Sequence, residues 1–562
     1  MSGKFEIVQA LTHLELEYLE DRITPAGNVT VMLVGGVLTI AGDADDNAIT
    51  VNPGSNGGEF IIASDAHNAT TINGETGPLS LTGITGDVIV NLGDGNDSLG
   101  IGGLEMAHNV TIDTGAGDND IYVGSDSIIH GSLTVTGGAG ADSIRLMHLT
   151  VAKDVTLRGG DGDNSFEFDV MSARNISVTG GAGSDIINAR SSGAAKSILI
   201  DTGDGDSSIR FVGTGGNVFA VHGGAGSQSV ELLAAGGAAM TSISNASGPT
   251  NIHISGCYLK NLSISTGEGD ATISMFGCPV EKFSATTGNG NAHISISNCS
   301  LGSSDYTSAK TNARITTGAG QNYIEIVESG SGRNMLLSLG GGSNECHVNS
   351  SEVPGLLKIA SGGGDDHITL DGMLLRRGAS ISTGGGDDEL YVHNGTLRGA
   401  VSVNVGDGND IVGIDGACLQ GALNLKTGAG DDQFYMHNGT IRGTMSMDMG
   451  EGNDLVRSDG AYLRGALNLK AGAGNDQVYF DAEDSPGGRV GVFAGPVKVD
   501  LGAGDDYIEM GSQADSGNLS VYLSSVKTDG GTGYDEIDAM YNSAYWATEP
   551  LQRNVEGVHI LD

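Results

Sequence analysis

Residues 421–443 read GALNLKTGAGDDQFYMHNGTIRG, and this stretch decides the fold. Apolar and polar side chains alternate over residues 422–426 and again over residues 433–436, which is typical of half-buried β-strands. The turn at residues 427–432 separates these two strands, and a third short strand follows at residues 440–442. Three short strands and three corners in about 22 residues predict one coil of a parallel β-solenoid.

The turn motif Gly-x-Gly returns along most of the chain, from Gly93 to Gly531. Most of its steps are about 22 residues, and a few longer steps indicate short loops or a degenerate turn. We therefore expect an all-β, right-handed parallel β-solenoid of roughly 20–23 coils with capped ends. At about 4.8 Å per coil, such a rod is on the order of 100 Å long.

Composition agrees with a repeat array and excludes several partners. The chain has 562 residues, of which 94 are glycine, and its formal net charge is −42. Nucleic acid is excluded as a partner because phosphate binding needs a basic surface. A chain of this length is too long for one compact core, whereas a solenoid extends its core coil by coil. No stretch of the sequence is long and apolar enough for a membrane span.

The repeats divide the chain into four parts. We expect an N-terminal sorting or cap segment at 1–28, and a β-hairpin with degenerate first coils at 29–92. The regular solenoid follows at 93–538, and a C-terminal cap, richer in aromatic residues, occupies 539–562. Caps are expected because an uncovered strand edge at either end of the rod invites pairing with other chains.

The turns follow a nonapeptide pattern, Gly-Gly-x-Gly-x-Asp-x-apolar-x, which residues 137–145 and 180–188 fit fully. This pattern resembles the RTX (hemolysin-type) calcium-binding repeat, in which the Asp at position 6 and loop carbonyls hold Ca²⁺. The resemblance covers the turns but not the coil length, because RTX coils are shorter and have a turn on each side. It implies metal-ligand roles for the Asp residues at position 6: Asp97, Asp142, Asp185, Asp366, Asp388, Asp410, Asp432, Asp454, Asp476, Asp506 and Asp535.

A physical argument also favours a cation. Equivalent residues of successive coils stack about 4.8 Å apart, so a column of aspartates repels itself by about 3 kcal/mol per neighbouring pair at an effective dielectric constant of 20. Carboxylate and carbonyl oxygens suit Ca²⁺. The alternative is that these residues only form corners and bond their own backbone. We expect little or no calcium in the middle coils, where position 6 holds Ser207, Gln228, Ala271, Ala292, Asn322 and Asn344.

Other candidate sites have simpler explanations. Cys257, Cys278 and Cys299 lie one coil apart and predict a buried thiol column, because three sulfurs in a line make no tetrahedral metal site. His393 and His437 share a column but lie two coils apart, too far for one metal. The basic residues Arg376, Arg377, Arg398, Arg442 and Arg464 are the candidates for an enzymatic groove, but three of them occupy one repeating position.

Residues 16–26, LEYLEDRITPA, resemble the N-terminal LEDRxTPA segment of predicted cell-surface and secreted proteins of planctomycete bacteria. That resemblance implies secretion or surface display, although residues 1–28 lack the features of a standard signal peptide. We therefore expect a structural or adhesive solenoid that Ca²⁺ stabilises, with a glycan or another surface protein as its partner. Two alternatives stay open: a polysaccharide-active β-helix lyase or hydrolase, and a solenoid that needs no calcium.

Overall fold

The fold is an all-β parallel solenoid. The structure is a computed structural model that describes residues 27–65, 70–213, 215–302, 312–480, 491–511, 520–540, 544–546 and 551–561. Within these ranges there is no helix, and about 19 turns follow one another at a spacing of about 22 residues. The predicted fold class is confirmed. The expected segment 1–28 lies almost wholly outside the described residues, as do residues 541–543, 547–550 and 562 of the expected cap at 539–562.

Each regular coil has three strands. An entry strand leads into the glycine turn, an exit strand leaves it, and a short strand follows the second corner. Leu423–Ala429 is an entry strand that pairs in parallel with Met445–Glu451, so that Leu423 lies beside Met445. The corresponding exit strands Gln433–His437 and Leu455–Asp459 pair in the same way. Each coil therefore bonds to the coils before and after it.

The strand bounds follow, grouped by face. The entry strands are Val37–Ala41, Val88–Asn91, Val110–Asp113, Leu133–Ala139, Asp154–Asp161, Val218–Gly223, Met240–Asn245, Ala313–Thr316, Met335–Ser338, Leu357–Ala360, Ala379–Gly385, Val401–Asp407, Leu423–Ala429, Met445–Glu451, Leu467–Ala473, Val497–Ala503, Val526–Asp529 and Leu551–Arg553. The exit strands are Ala48–Pro53, Ser98–Gly102, Asp120–Gly124, Ile186–Arg190, Ser207–Val212, Gln228–Leu233, Thr250–Ser255, Ala271–Phe276, Ala292–Ser297, Asn322–Val327, Asn344–Asn349, His367–Asp371, Glu389–His393, Ile411–Asp415, Gln433–His437, Leu455–Asp459, Gln477–Phe480, Tyr507–Met510, Glu536–Met540 and Gly557–Leu561.

The short strands are Glu105–Met106, Ile128–Ile129, Gly236–Ala238, Ser300–Leu301, Gly330–Ser331, Glu352–Val353, Leu374–Leu375, Thr396–Leu397, Cys418–Leu419, Thr440–Ile441, Tyr462–Leu463, Val492–Phe493, Ser520–Tyr522 and Ala544–Trp546. Five strands bend around a corner and belong to two or three faces, namely Ser143–Val151, Ser165–Ala182, Gly193–Asp204, Tyr258–Ser265 and Pro279–Thr286.

The N-terminal end of the rod is built from antiparallel strands. Asn28–Val34 pairs antiparallel with the entry strand Val37–Ala41 through Gly35 and Gly36, which both have positive φ as a two-residue hairpin turn requires. Ala48–Pro53 pairs antiparallel with Glu59–Ser64, which pairs in turn with Leu79–Thr82. A two-residue strand, Thr71–Ile72, pairs with Asn28–Val34. These strands cover the edges of the first entry and exit strands.

The core is a continuous apolar column inside the coils. In the coil of residues 423–441, Leu423, Leu425, Phe434 and Ile441 are all at most 2 % exposed. The residues between them on the entry strand point outward, as their alternating burial shows. The alternation that marked these segments as strands in the sequence is therefore the pattern that fills the interior.

Candidate functional site

The glycine turn brings the backbones of successive coils very close together. Gly430, at position 4 of its turn, has a φ of 137°, which favours glycine. A Cβ atom added to it would lie 2.0 Å from the carbonyl oxygen of Gly408 in the preceding coil. The glycines are therefore required both by backbone conformation and by the close stacking of the turns.

The side chain at position 6 points into the solenoid. Asp432 is fully buried, and one of its carboxylate oxygens, Oδ1, accepts a hydrogen bond from the backbone N–H of Asp410, at 2.9 Å. Oδ1 of Asp454 accepts a hydrogen bond from the N–H of Asp432 in the same way. We call these stacked residues the sixth-position column. They do form corners, but the backbone N–H that Oδ1 bonds belongs to the neighbouring coil rather than to their own.

Eight successive coils have Asp in this column, and we call them the acidic run. Each Asp of the run is at most 2 % exposed. Within the described residues, the second carboxylate oxygen, Oδ2, is buried in every coil of the run, and no donor bonds it with ordinary hydrogen-bond geometry. The hydroxyls of Ser361, Thr383 and Thr427 interact with Asp366, Asp388 and Asp432 and offset part of the rise in their pKa. A buried acceptor left unsatisfied costs about 1–3 kcal/mol, and more when it is charged. The acidic run comprises Asp366, Asp388, Asp410, Asp432, Asp454, Asp476, Asp506 and Asp535.

Coils with Asn at position 6 reveal what faces this second oxygen. The amide nitrogen of Asn322 donates to the carbonyl oxygens of Gly318 and Gly320, at 3.2 and 2.8 Å. The amide nitrogen of Asn164 likewise donates to the carbonyls at positions 2 and 4 of its own turn. Where Asp replaces Asn, an oxygen takes the place of this nitrogen, and from the Asn coils we infer that it faces the corresponding two carbonyls. A cation or a proton at this point would relieve the repulsion between the oxygens.

Burial raises the pKa of the carboxyl groups in the acidic run. It raises the pKa of Asp410 and Asp476 to about 7, although an N–H of the preceding coil lowers each and neighbouring carboxylates raise each again. Burial likewise raises the pKa of Asp388, Asp454 and Asp506 to about 6, against an N–H of the preceding coil and, for Asp388, a hydrogen bond with Thr383. The fold therefore disfavours the bare carboxylate.

A second ladder lies outside the turn, at position 5, and its hydrogen bonds run in the opposite direction. The exposed Asp431 accepts a hydrogen bond from the backbone N–H of Asn453 in the next coil, at 2.7 Å. Asp387 accepts one from the N–H of Asn409 in the same way. The sequence analysis missed this ladder, although a pair of Asp or Asn residues at positions 5 and 6 was its visible signal.

The N-terminal coils have a mixed column. Asp97, Asp142 and Asp185 alternate with Asn119 and Asn164, and each residue bonds the backbone N–H of the coil before it. The amide of Asn119 also donates to Oδ1 of Asp142, at 2.8 Å. No two aspartates are neighbours in this column. The sequence analysis singled out the three Asp residues and did not see that Asn separates them.

The middle of the column has lost its carboxylates, as the sequence indicated. Ser207 accepts a hydrogen bond from the N–H of Asp185, and Ala271 and Ala292 are buried without a polar side chain. Just before the acidic run begins, the amide of Asn322 donates to Oδ1 of Asn344, and that of Asn344 to Oδ1 of Asp366. The charge of the column is therefore concentrated in its C-terminal part.

The cysteines form the thiol column that their spacing predicted. The N–H of Cys257 donates to the sulfur of Cys278, and that of Cys278 to the sulfur of Cys299, both at 3.4 Å. In the next coil, the hydroxyl of Ser329 accepts from the N–H of Cys299, at 3.0 Å. All three thiols are fully buried. Because the serine accepts the same hydrogen bond one coil later, we infer a structural role for the three thiols.

Two other columns are exposed. His437 lies 3.0 Å from Asp415, in the adjacent coil, and His393 lies 3.9 Å from the same carboxylate on its other side. Arg398, Arg442 and Arg464 all lie on the outside of the corner after the short strand, at equivalent positions. These Arg residues keep the repeat symmetry that a single active site would break.

One cluster of acidic and aromatic residues does not repeat. The hydroxyl of Tyr507 donates to Asp538, at 2.8 Å, and lies 3.2 Å from Glu509. Glu509 is 5 % exposed, and burial raises its pKa. Arg457 lies over the ring of Tyr479, and Tyr479 lies beside Glu509 of the next coil. The sequence analysis did not single out this cluster because its members occupy ordinary strand positions.

Side chains by themselves form no metal centre in the part of the chain that the structure describes. The parts of the chain that the structure describes contain no cluster of three or more His, Cys, Asp or Glu residues able to hold an ion. A cation in the acidic run would therefore depend on one Oδ2 atom together with turn carbonyls. The buried Oδ2 and the two carbonyls are hard oxygen ligands of the kind that Ca²⁺ prefers, and they would fill three of its roughly six to eight coordination positions.

In comparisons with known proteins, no family model, curated protein or solved structure matches the chain. Among the described residues there is also no helix long and apolar enough to cross a membrane. The argument for function therefore depends on the turn geometry.

Proposed function

We propose that this protein is a structural or adhesive rod, secreted or displayed on the cell surface, whose Asp-bearing turns bind Ca²⁺. The observation that carries the proposal is the row of buried Oδ2 atoms without partners in the acidic run. In each coil the ligands would be the carboxylate of the sixth residue and the carbonyls at positions 2 and 4. Bound calcium would supply positive charge where oxygens otherwise face one another.

The electrostatics of the column support a bound cation. Neighbouring carboxylates about 4.8 Å apart repel by about 3 kcal/mol at an effective dielectric constant of about 20. A protein that has to fold against this repulsion gains from any cation that binds the folded turns alone. Each site contributes about 2.7 kcal/mol when the free ion is about 100-fold above its dissociation constant.

Shape and surroundings support a role outside the cell. About 19 turns at about 4.8 Å give a rod on the order of 90 Å long, which suits a spacer or an adhesive stalk. Extracellular calcium is millimolar, and sites of modest affinity are loaded there. The N-terminal segment that resembles LEDRxTPA sequences favours the same location. A glycan or another surface protein is the class of partner that such a rod would meet.

The test is a comparison of melting curves, which are recorded by circular dichroism. Protein in EDTA is compared with protein in millimolar CaCl₂, and protein in NaCl of matched ionic strength controls for general screening of charge. We expect calcium to raise the melting temperature well beyond the effect of NaCl. Metal analysis of protein purified without chelator should find calcium. An unchanged melting temperature and metal-free protein would establish instead a solenoid that needs no calcium.

A further inference from the structure

The sixth-position column consists of segments that differ in the neighbours of each carboxylate. In the acidic run, every Asp from Asp388 to Asp506 has another Asp in the coil on either side. In the N-terminal coils, Asn119 and Asn164 separate the aspartates. The same turn geometry therefore occurs with two different charge patterns.

The amide nitrogen of Asn donates hydrogen bonds inside the turn, which a carboxylate oxygen cannot do. The amide nitrogen of Asn119 donates to the carbonyl of Gly117, at 3.0 Å, and to Oδ1 of Asp142, at 2.8 Å. Asn344 makes the corresponding bonds to Gly342 and to Asp366, the first residue of the acidic run. One amide thus joins its own turn to the carboxylate of the next coil without any ion.

The remaining aspartates outside the acidic run differ from those within it. Oδ2 of Asp142 accepts a hydrogen bond from the N–H of Gly138, at 3.2 Å. Asp97 and Asp185 each keep one unpartnered oxygen, but neither has a carboxylate next to it in the column. The need for positive charge is therefore much smaller in these coils.

We propose that the rod has two segments with different ion requirements. In the coils from Asp366 to Asp535, a cation occupies the point that the amide nitrogen marks in the Asn coils. The coils before Asn344 need no ion, because their column holds amides, uncharged Ser or Ala side chains, or aspartates with no carboxylate beside them. The inference rests on the proposed calcium binding and adds its distribution along the rod. Because each coil contacts only its neighbours, one segment can open while the other stays folded.

The experiment is hydrogen exchange of the full chain, followed by mass spectrometry, in EDTA and in millimolar CaCl₂. We expect removal of calcium to speed exchange about tenfold or more in strands from Ala379–Gly385 to Val497–Ala503. Strands from Val110–Asp113 to Met335–Ser338 should change by less than about twofold.

Two sets of variants move the boundary in opposite directions. The triple variant Asp410→Asn, Asp432→Asn, Asp454→Asn should keep its central coils protected in EDTA and make them insensitive to calcium. The double variant Asn322→Asp, Asn344→Asp should extend the calcium-sensitive segment by two coils toward the N-terminus. Both sets leave side-chain size nearly unchanged, so that packing is preserved.

The outcomes separate this inference from the proposed function. Equal protection by calcium of all Asp-bearing coils, including those of Asp97 and Asp185, would overturn the two-segment proposal and leave calcium binding intact. No protection anywhere would overturn calcium binding. In that case the triple variant still decides the role of the amides, because failure of Asn to protect these coils in EDTA would refute it.

Discussion

Replacing Asp432 by Asn is the sharpest single test of the column. The oxygen Oδ1 keeps its place and continues to accept from the N–H of Asp410. The new amide nitrogen replaces the unpartnered Oδ2 and faces the carbonyls of Gly428 and Gly430, as the amide of Asn322 does in its own turn. In EDTA the substitution should therefore stabilise the protein, although most changes of a buried residue destabilise it.

The magnitude follows from two terms. Pairing a buried polar atom that had no partner is worth about 1–3 kcal/mol. Removing one carboxylate also relieves repulsion from Asp410 and Asp454, each worth up to about 3 kcal/mol when both groups are ionised. Because burial raises the pKa values in this column, part of that repulsion is already absent at neutral pH. We expect a net gain of about 2–4 kcal/mol in local stability.

The assay is hydrogen exchange of peptides that cover Leu423–Ala429 and Gln433–His437, which reports the free energy of local opening. Asp431→Asn is the matched control, because Asp431 is exposed and its Oδ1 bond to Asn453 survives the change. We expect the control to stay within about 0.5 kcal/mol of the parent protein. In calcium, the gain from Asp432→Asn should shrink or reverse, since one ion site is lost. Faster exchange in Asp432→Asn in EDTA would refute the reasoning.

Three further predictions follow from the same geometry. The pKa of Asp410 is about 7 in the fold against about 3.9 in the unfolded chain, so without calcium its protonated form stabilises the fold fully below about pH 4. This contribution is lost as the pH rises through 7, and melting temperatures in EDTA should therefore fall between pH 5 and pH 8. A flat profile would contradict the burial of the column. Gly430→Ala should cost about 2 kcal/mol or more in a urea titration because its Cβ meets a carbonyl of the preceding coil, whereas Gly341→Ala, with open space around it, should be nearly neutral. Cys278→Ser should change the free energy of unfolding by less than about 1 kcal/mol, because the hydroxyl still accepts from the N–H of Cys257. Cys278→Val should cost about 1–3 kcal/mol, because it leaves that N–H unpaired. Equal effects of the two variants would show that this hydrogen bond does not contribute to stability.

The repeat itself was readable because a solenoid places the same residue type in the same environment once per coil. The alternating pattern of residues 422–426 predicted the entry strand Leu423–Ala429, and the Gly-x-Gly spacing predicted the stacking of its turn. The degenerate first coil was harder to place. Asn47 bonds Asp97 across 50 residues, because strands Glu59–Ser64 and Leu79–Thr82 interrupt the repeat between them.

The sequence also located the acidic run and the gap that precedes it, since position 6 can be counted from the glycines. It did not reveal that Asp and Asn play different parts there. Both residues accept the N–H of the preceding coil, so both fit the motif equally well. Their difference appears only at the second side-chain atom, where Asn322 donates to two carbonyls and Asp432 presents a buried oxygen.

The sequence by itself determined that this protein is a coiled stack of short strands, because hydrophobic alternation and glycine spacing are local and periodic. Tertiary structure decided which way each polar side chain points and which backbone it serves. Position 5 turns outward and bonds the next coil, whereas position 6 turns inward and bonds the preceding one. Each tight turn leaves N–H groups that a side chain from the neighbouring coil bonds, and the consequence is a carboxylate column buried inside the rod.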